Sequence, residues 1–456
     1  MVGEKYIEHF KKNFTLGYPV MLSQLGHVMV GVADSVMVGH LGAEPLAAAA
    51  LGNVIFYLVM TFGLGISYAI TPLVAAADGE GNTTQGGKVL RHGFAINVIA
   101  SILIVILVMV GGRILFFLNQ PEQVVIQSIP YLYIITFSII PLMIFQTYRQ
   151  FAEGLSLTRQ AMFISLAANL LNVGLNYILI FGKFGFDPLG LNGAGIATLI
   201  SRIVMAGLMF AYVFYRPRFI PFKAEGFHFG SYSKDLFRRM LRIGIPAGFQ
   251  FLFEVSAFGF AAIMVGWFGA NALAAHQIAI NLASISYMMA TGLSAAATIR
   301  VGNQLGRKDL PVMRTAGFTI FFMTILFMSM WAMIFIFGRH FLPTLYIDDT
   351  EVIQIATSLL VVAGFFQISD GVQVVGLGAL RGMADVKIPT IITFMAYWIF
   401  ALPMGYILGF YLDLGVVGIW IGLLSGLSVA GILLFLRFNH LTKKMIGSQA
   451  ATNRKG

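Results

Sequence analysis

Residues 16–42 read LGYPVMLSQLGHVMVGVADSVMVGHLG, and residues 243–269 read IGIPAGFQFLFEVSAFGFAAIMVGWFG. Both exceed the ~20 predominantly apolar residues that a helix needs to cross the hydrocarbon core of a bilayer. Laid over each other at a shift of 227 positions, they share a register. Gly17 falls on Gly244, Pro19 on Pro246, Val38–Gly39 on Val265–Gly266, and Gly42 on Gly269. The same shift then sets Leu46-Ala47-Ala48 on Leu273-Ala274-Ala275, Gly65 on Gly292, Gly79 on Gly306, and Gln146 on Gln373. A register held that far along the chain marks an internal duplication of membrane-spanning helices.

Composition agrees. The 456 residues are 58% hydrophobic and only 11% charged, with a mean hydropathy of +0.85, whereas about a quarter of a soluble domain is charged. Cysteine is absent, which excludes a disulfide framework, thiolate metal ligands and cysteine nucleophiles together. The polar, mixed-charge start MVGEKYIEHFKKNF gives no reason to expect a cleavable signal peptide. Long apolar runs fall near residues 14–36, 46–76, 92–118, 124–148, 160–182 and 190–215. Six more follow near 239–266, 272–298, 312–338, 352–379, 387–411 and 414–437. Turn-rich seams separate them, among them GHLGAEP, DGEGNTTQGG, NQPEQ, KFGFDPLGLNG and GRKDLP. No ~10-residue alternating segments of a membrane barrel appear.

The fold class expected is therefore an all-α integral membrane protein: twelve transmembrane helices in two pseudo-symmetric six-helix lobes. The N-lobe is assigned to residues 1–215, a linker to 216–238, and the C-lobe with its tail to 239–456. Of the 29 basic residues, Arg113, Lys183 and Arg339 fall on odd-numbered loops or the span ends beside them and Arg202 deep within the sixth span; all others fall on even loops, the span ends beside them, or termini. By the positive-inside rule both termini are cytoplasmic. The net charge of +10 is thus an inner-leaflet signature, and no nucleic-acid partner is implied. With six spans each, the two copies have the same orientation. Such parallel repeats, related by an axis along the membrane normal, are a transporter architecture with a central cleft.

Three acids fall inside spans: Asp34, Glu254 and Asp370. Each costs ~2.5–3.5 kcal/mol at the centre of a membrane helix on insertion scales. They have polar company at helical spacing. Gln24, His27, Gly31 and Asp34 share one face; Gln250 lies one turn from Glu254; Gln367, Asp370 and Gln373 follow in steps of three; Asn169, Asn172 and Asn176 form another stripe. Polar stripes in lipid face protein or water, so these are read as cavity walls. The acids could also simply tie helices together. The eight histidines show no HxxxH or HExxH spacing, and no GxxxxGK[ST] run is present. An enzyme, a histidine metal site and ATP hydrolysis are therefore not expected. What remains is cation handling. A hard ion such as Na+ takes carboxylate, amide and carbonyl oxygens, whereas a proton needs only a buried carboxylate.

The stretches PVMLSQLGHVMVGVADSVMVGHLG, GLGISYAITPLVAAADGEGN, NLLNVGLNYILIFGKFG and GAGIATLIS resemble the MATE (multidrug and toxic compound extrusion) transporters, in their NorM-type branch. So do IGIPAGFQFLFEVSAF, LAAHQIAINLASISYMMATGLSAAATIRVGNQLG and FFQISDGVQVVGLGALRGMADVKIPT. The resemblance covers residues 10–440. It implies secondary active export of amphipathic, often cationic compounds in exchange for Na+ or H+ by alternating access. It implies no cofactor beyond the coupling ion, small drug-like substrates, a lipid bilayer as environment, and residence in the cell (inner) membrane; a monomer is expected. Carried over by position, Asp34, Asn172, Asn176 and Thr198 match an N-lobe cation-coupling network. Glu254 and Asp370 match a C-lobe cation site, here assigned to Na+. Gln277, Asp348 and Asp349 match positions that face the substrate, and Pro19 matches a first-helix hinge.

One position departs from the pattern: where this branch can carry a tyrosine one turn before the last acid, the chain has Phe366. That removes an oxygen ligand. Each assignment also has a plainer counterpart. Asp348, Asp349 and Glu351 lie in the loop YIDDTEV, where acids are ordinarily solvated, and Gln277 shares a face with Asn281. His27 and His276 suit helix–helix hydrogen bonds better than proton relays. The repeat partner Pro246 allows a simple packing kink at both prolines. Two other transport readings are a lipid-linked oligosaccharide flippase of the same superfamily and an H+-coupled exporter of one metabolite. A flippase cleft would be expected to carry basic residues for a diphosphate, and only Arg202 lies deep within a span, away from its ends.

Overall fold

The computed structural model describes residues 2–117, 121–223 and 232–453. Part of the expected linker (224–231), part of the NQPEQ seam, and the end of the tail lie outside the described residues. The described chain is helical throughout, without a strand, and has twelve helices long and apolar enough to cross a membrane. Spans 1 to 6 are Ile7–Gly39, Ala43–Gly79, Thr83–Phe117, Glu122–Gly154, Arg159–Phe181 and Gly190–Tyr215. Spans 7 to 12 are Lys234–Gly266, Ala270–Gly306, Leu310–Gly338, Thr350–Gly382, Lys387–Tyr411 and Gly415–Ala451.

Several helices outrun their apolar segments, because polar extensions find partners. Span 12 continues to Ala451 instead of ending near 437. Arg437 on it pairs with Asp385 through two hydrogen bonds of 2.5 and 3.0 Å. Arg314 donates to the Asn439 carbonyl and side chain and to Thr442, at 2.6–3.1 Å. At the other end of the chain, Lys12 pairs with Glu8 one turn earlier on span 1.

The duplication is visible in backbone detail. Gly42, with φ 120°, starts span 2; Gly269, with φ 108°, starts span 8. This left-handed region favours glycine. Asn82 caps span 3 by accepting from the Gln85 amide at 2.9 Å, and Asp309 caps span 9 by accepting from Val312 at 3.1 Å. Both pairs keep the shift of 227 positions. The copies differ in continuity. Span 2 is interrupted at Tyr68–Ala69 and span 4 at Ser138, where spans 8 and 10 run unbroken. Span 11, by contrast, contains two π-helical stretches, Met395–Ala401 and Ile407–Tyr411, around Pro403. A proline that removes a backbone donor is a known origin of such irregularity.

The chain forms two compact units: Met1–Met21 with Phe249–Gly456, and Leu22–Gly248. Both divisions fall inside a continuous helix, two residues after Pro19 and two after Pro246. In the first unit the opening turns of span 1 pack on span 8 at Gly17 and Gly292. Its core gathers Phe335, Leu359, Leu360, Tyr397 and Trp420. In the second, the opening turns of span 7 pack on span 2 at Gly248 and Gly65. Its core gathers Leu115, Leu132, Ile139 and Ile180.

Candidate functional site

In each unit a polar cluster gathers around the acids singled out in the sequence. In the unit Leu22–Gly248 the cluster is a chain of hydrogen bonds across spans 1, 5 and 6. The Asn176 side-chain nitrogen donates to Asp34 and, at 3.2 Å, to the Asn172 oxygen. The Asn172 nitrogen donates to Thr198 at 3.4 Å. Asn172 and Asn176 are buried, while Asp34 and Thr198 are half-buried. All four carried-over residues of this network therefore meet. What brings them together is the close approach of spans 1 and 5: a Cβ on Gly26 would lie 2.8 Å from Leu166 and 3.0 Å from the Asn169 nitrogen. Asn169, the third member of the stripe, is on the same side as Gly26, and Gln24 and His27 are half-buried.

This cluster is short of donors. The Asn176 oxygen is buried without a hydrogen-bond partner, a state that ordinarily costs ~1–3 kcal/mol. Beside it is a carboxylate, which when ionised only accepts. The arrangement suits a species that brings positive charge or a hydrogen: a proton on Asp34, or a cation between the oxygens. Arg202 belongs to the neighbourhood, close enough for its charge to act on Asp34. It donates to Ser138 at 2.7 Å, where span 4 breaks, and its guanidinium lies 5.1 Å from the Phe56 ring centroid. Sequence reasoning counted Arg202 only as a basic residue in a span. Its value as a fixed positive neighbour depends on the break at Ser138, which Pro141 signals three residues later, since a proline there cannot donate to the Phe137 carbonyl.

In the other unit, spans 7, 8, 10 and 11 bring together Glu254 and Asp370. Both are buried; the charge of Glu254 reaches Asp370, and that of the buried Arg381 reaches Glu254. Among the described residues neither carboxylate receives a recorded hydrogen bond from protein. Around them are Gln250, Gln367 and Gln373, all buried. Ser286 donates to the Gln367 oxygen, and the Tyr397 hydroxyl donates to the Gln373 oxygen at 2.8 Å. The amide nitrogens of the three glutamines have no hydrogen-bond partner among the described residues. This cluster therefore holds spare donors beside two carboxylates. Phe366 stands on its apolar wall, 6.0 Å from Phe258 and 5.6 Å from Trp420, ring to ring. Tyr397 is the residue that sequence reasoning missed. It lies in the first π-helical stretch of span 11, so its hydroxyl comes from a different span than Phe366, which is on span 10.

The remaining candidates are placed as follows. Gln277 and Asn281 are exposed and joined, nitrogen to oxygen, at 3.1 Å. Asp348 and Asp349 are exposed. Asp349 caps span 10, accepting from the amides of Glu351 at 2.9 Å and Val352 at 3.1 Å. Glu351 accepts from Asn271 at 2.7 Å. His276 accepts from the Trp420 indole at 3.1 Å, a helix–helix bond. Pro19 lies inside a continuous helix. No group of three or more His, Asp or Glu side chains able to hold a metal ion occurs among the described residues.

Comparison with known proteins bears on the chain as a whole. The MatE family model matches residues 19–178 and 246–407, one copy on each half of the duplication. Multidrug resistance protein MdtK of Yersinia pseudotuberculosis is 35% identical over 446 residues, covering 97% of each chain. A probable multidrug resistance protein NorM of Rhizobium meliloti is 34% identical, covering 97% of this chain and 96% of its own. Among solved structures, the eukaryotic MATE transporter AtDTX14 superposes with a TM-score of 0.85 at 22% identity, over 96% of this chain and 98% of its own. A MATE crystal structure in the bent conformation superposes at 0.89 with 20% identity, over 98% and 99%.

Proposed function

Because the chain belongs to the MATE family of multidrug and toxic compound extrusion transporters, we propose that it is a secondary active exporter of amphipathic, often cationic drug-like compounds, driven by exchange for Na+. It is a multi-pass membrane protein and not an enzyme. The reading places it in the inner membrane as a monomer, with both termini cytoplasmic in keeping with the bias of lysine and arginine toward the even loops. Residues 1–215 and 239–456 are the two lobes that alternate in access.

The observation that carries the proposal is the pair Glu254 and Asp370: both buried, Asp370 within range of the charge of Glu254, and, among the described residues, without a recorded protein donor on either carboxylate. Two ionised carboxylates in a membrane interior repel each other, and a hard cation shared by their oxygens relieves that repulsion. We assign Na+ to this pair. Asp34 with Asn176, Asn172 and Thr198 forms the second coupling network, which binds a proton or a cation. Gln277, Asp348 and Asp349 are assigned to the substrate, with Asp348 the freer of the two acids because Asp349 already caps a helix. Pro19 is assigned as a hinge; normal transport and ion dependence in Pro19→Ala would remove it.

The test is transport of an ethidium-type cation by purified protein in liposomes, under an imposed Na+ or H+ gradient. Wild type is expected to respond to Na+. Glu254→Gln and Asp370→Asn are expected to abolish the Na+ response, and Asp34→Asn to abolish coupled transport. Full drive by a proton gradient without Na+, retained in Asp370→Asn, would overturn the Na+ assignment. No efflux under either gradient would overturn multidrug export itself.

A further inference from the structure

We propose that the first three turns of span 7 hold a binding site for an anionic phospholipid. Lys234, Arg238 and Arg242 recur every four residues and share one helix face with Phe237, Leu241, Ile245 and Pro246; together they line an open cavity of about 590 Å3. Lys234, Arg238, Leu241, Arg242 and Ile245 are exposed. Among the described residues the three cations have no recorded ion pair or hydrogen bond.

The order of residues along the helix matches the depth profile of a bilayer leaflet. From Lys234 to Arg242 the helix rises ~12 Å, enough to cross a headgroup layer of roughly 5–8 Å with lysine and arginine stems reaching outward. Phe237 and Leu241 lie between the cations, and beyond Arg242 the wall is apolar at Ile245 and Pro246. A phosphate or phosphoglycerol head is matched to the charges, and an acyl chain to the apolar wall. A small soluble anion would meet only the charged part, and a choline headgroup would set its own cation against three others. A stable protein partner ordinarily needs more than ~1,000 Å2 of buried surface, beyond what seven residues on one helix face supply. The site is independent of which ion drives transport.

The helix contains its own control. Arg239 is exposed on the same turn as Arg238 but does not line the cavity, and neither does Asp235. General attraction of the basic loop to an acidic surface treats Arg238 and Arg239 alike; a site does not.

The experiment is native mass spectrometry of the full-length protein released from vesicles of equal phosphatidylglycerol and phosphatidylcholine. Wild type is expected to retain one phosphatidylglycerol in preference. Arg238→Gln and Arg242→Gln are each expected to lower that retention about fivefold, Arg238→Lys to keep most of it, and Arg239→Gln to stay within twofold of wild type. Equal losses in Arg238→Gln and Arg239→Gln would overturn the site in favour of a diffuse field. Equal retention of phosphatidylcholine by wild type would overturn it outright. Displacement by millimolar inorganic phosphate would make the ligand a free anion rather than a lipid, which also overturns the proposal.

Discussion

Gly65 of span 2 and Gly248 of span 7 meet backbone to backbone: a Cβ on Gly65 would lie 2.4 Å from the Gly248 Cα. The duplicated counterpart is Gly292 of span 8, where a Cβ would lie 2.4 Å from Met21 and 2.7 Å from the Gly17 carbonyl oxygen. Each contact packs the opening turns of a proline-bearing span onto its neighbour within one compact unit. Gly65→Ala and Gly292→Ala are expected to force helix backbones apart, costing about 1–3 kcal/mol as overpacking does. Gly174→Ala and Gly207→Ala, where a Cβ meets nothing within 4 Å, are expected to be neutral or stabilising, since alanine is the better helix former. Thermal unfolding of the four variants in one detergent separates the two groups.

Asn176 donates to both Asp34 and Asn172, so its removal unties three side chains at once. Asn176→Ala is expected to destabilise by about 1–3 kcal/mol through the groups left unpaired and to weaken coupled transport. Asn172→Ala is expected to spare the bond to Asp34 and to cost less. A double-mutant cycle of Asn176→Ala with Asp34→Ala, read as thermal unfolding in detergent, is expected to be non-additive, because both changes break the same bond. Simple additivity would mean that the bond contributes nothing to stability.

The sequence made the spans, the duplication and the polar stripes legible, because bilayer thickness sets helix length and helical spacing reveals shared faces. The meeting of Asp34 with Asn176 was anticipated only through the family resemblance, since the two are far apart in the chain. The roles of Arg202 and Tyr397 were not legible. One depends on a helix break at Ser138, the other on a π-helical stretch in span 11; Pro141 and Pro403 mark both places in the sequence, but a proline alone does not fix which backbone irregularity forms or which side chain it turns inward. Asp349 was legible as an acid in a loop, but its capping of span 10 depends on where that helix begins.

Tyr397→Phe keeps the buried ring against Phe258, 5.8 Å away centre to centre, and removes the hydroxyl that holds Gln373. If Gln373 is held for the sake of the two carboxylates, the ion concentration for half-maximal transport is expected to rise two- to tenfold while unfolding temperature changes little. A loss of stability with unchanged ion dependence would make the hydroxyl a packing bond only.

Asp349 and Asp348 are adjacent acids with different surroundings. Asp349→Ala is expected to cost about 0.5–2 kcal/mol, as loss of a helix N-cap does, whichever substrate is transported. Asp348→Asn is expected to leave stability unchanged and to raise the half-saturating concentration of cationic substrates while sparing neutral ones. A calorimetric scan and a paired cationic and neutral efflux assay distinguish these effects.

The presence of two acidic clusters, one in each compact unit, bears on stoichiometry. One positive charge moving inward through 100 mV gains ~2.3 kcal/mol, and a monocationic drug moving outward loses the same amount. One-for-one exchange would then run on the ion gradient alone, and a tenfold gradient would sustain only about tenfold accumulation. If both Asp34 and the Glu254–Asp370 pair carry a cation in each cycle, the ratio is two to one and the membrane potential adds to the drive. Counting ions per drug in liposomes under a clamped potential is expected to give a value near two in wild type and near one in a variant that keeps a single working cluster. A value of one in wild type would mean that one of the two clusters is not a transport site.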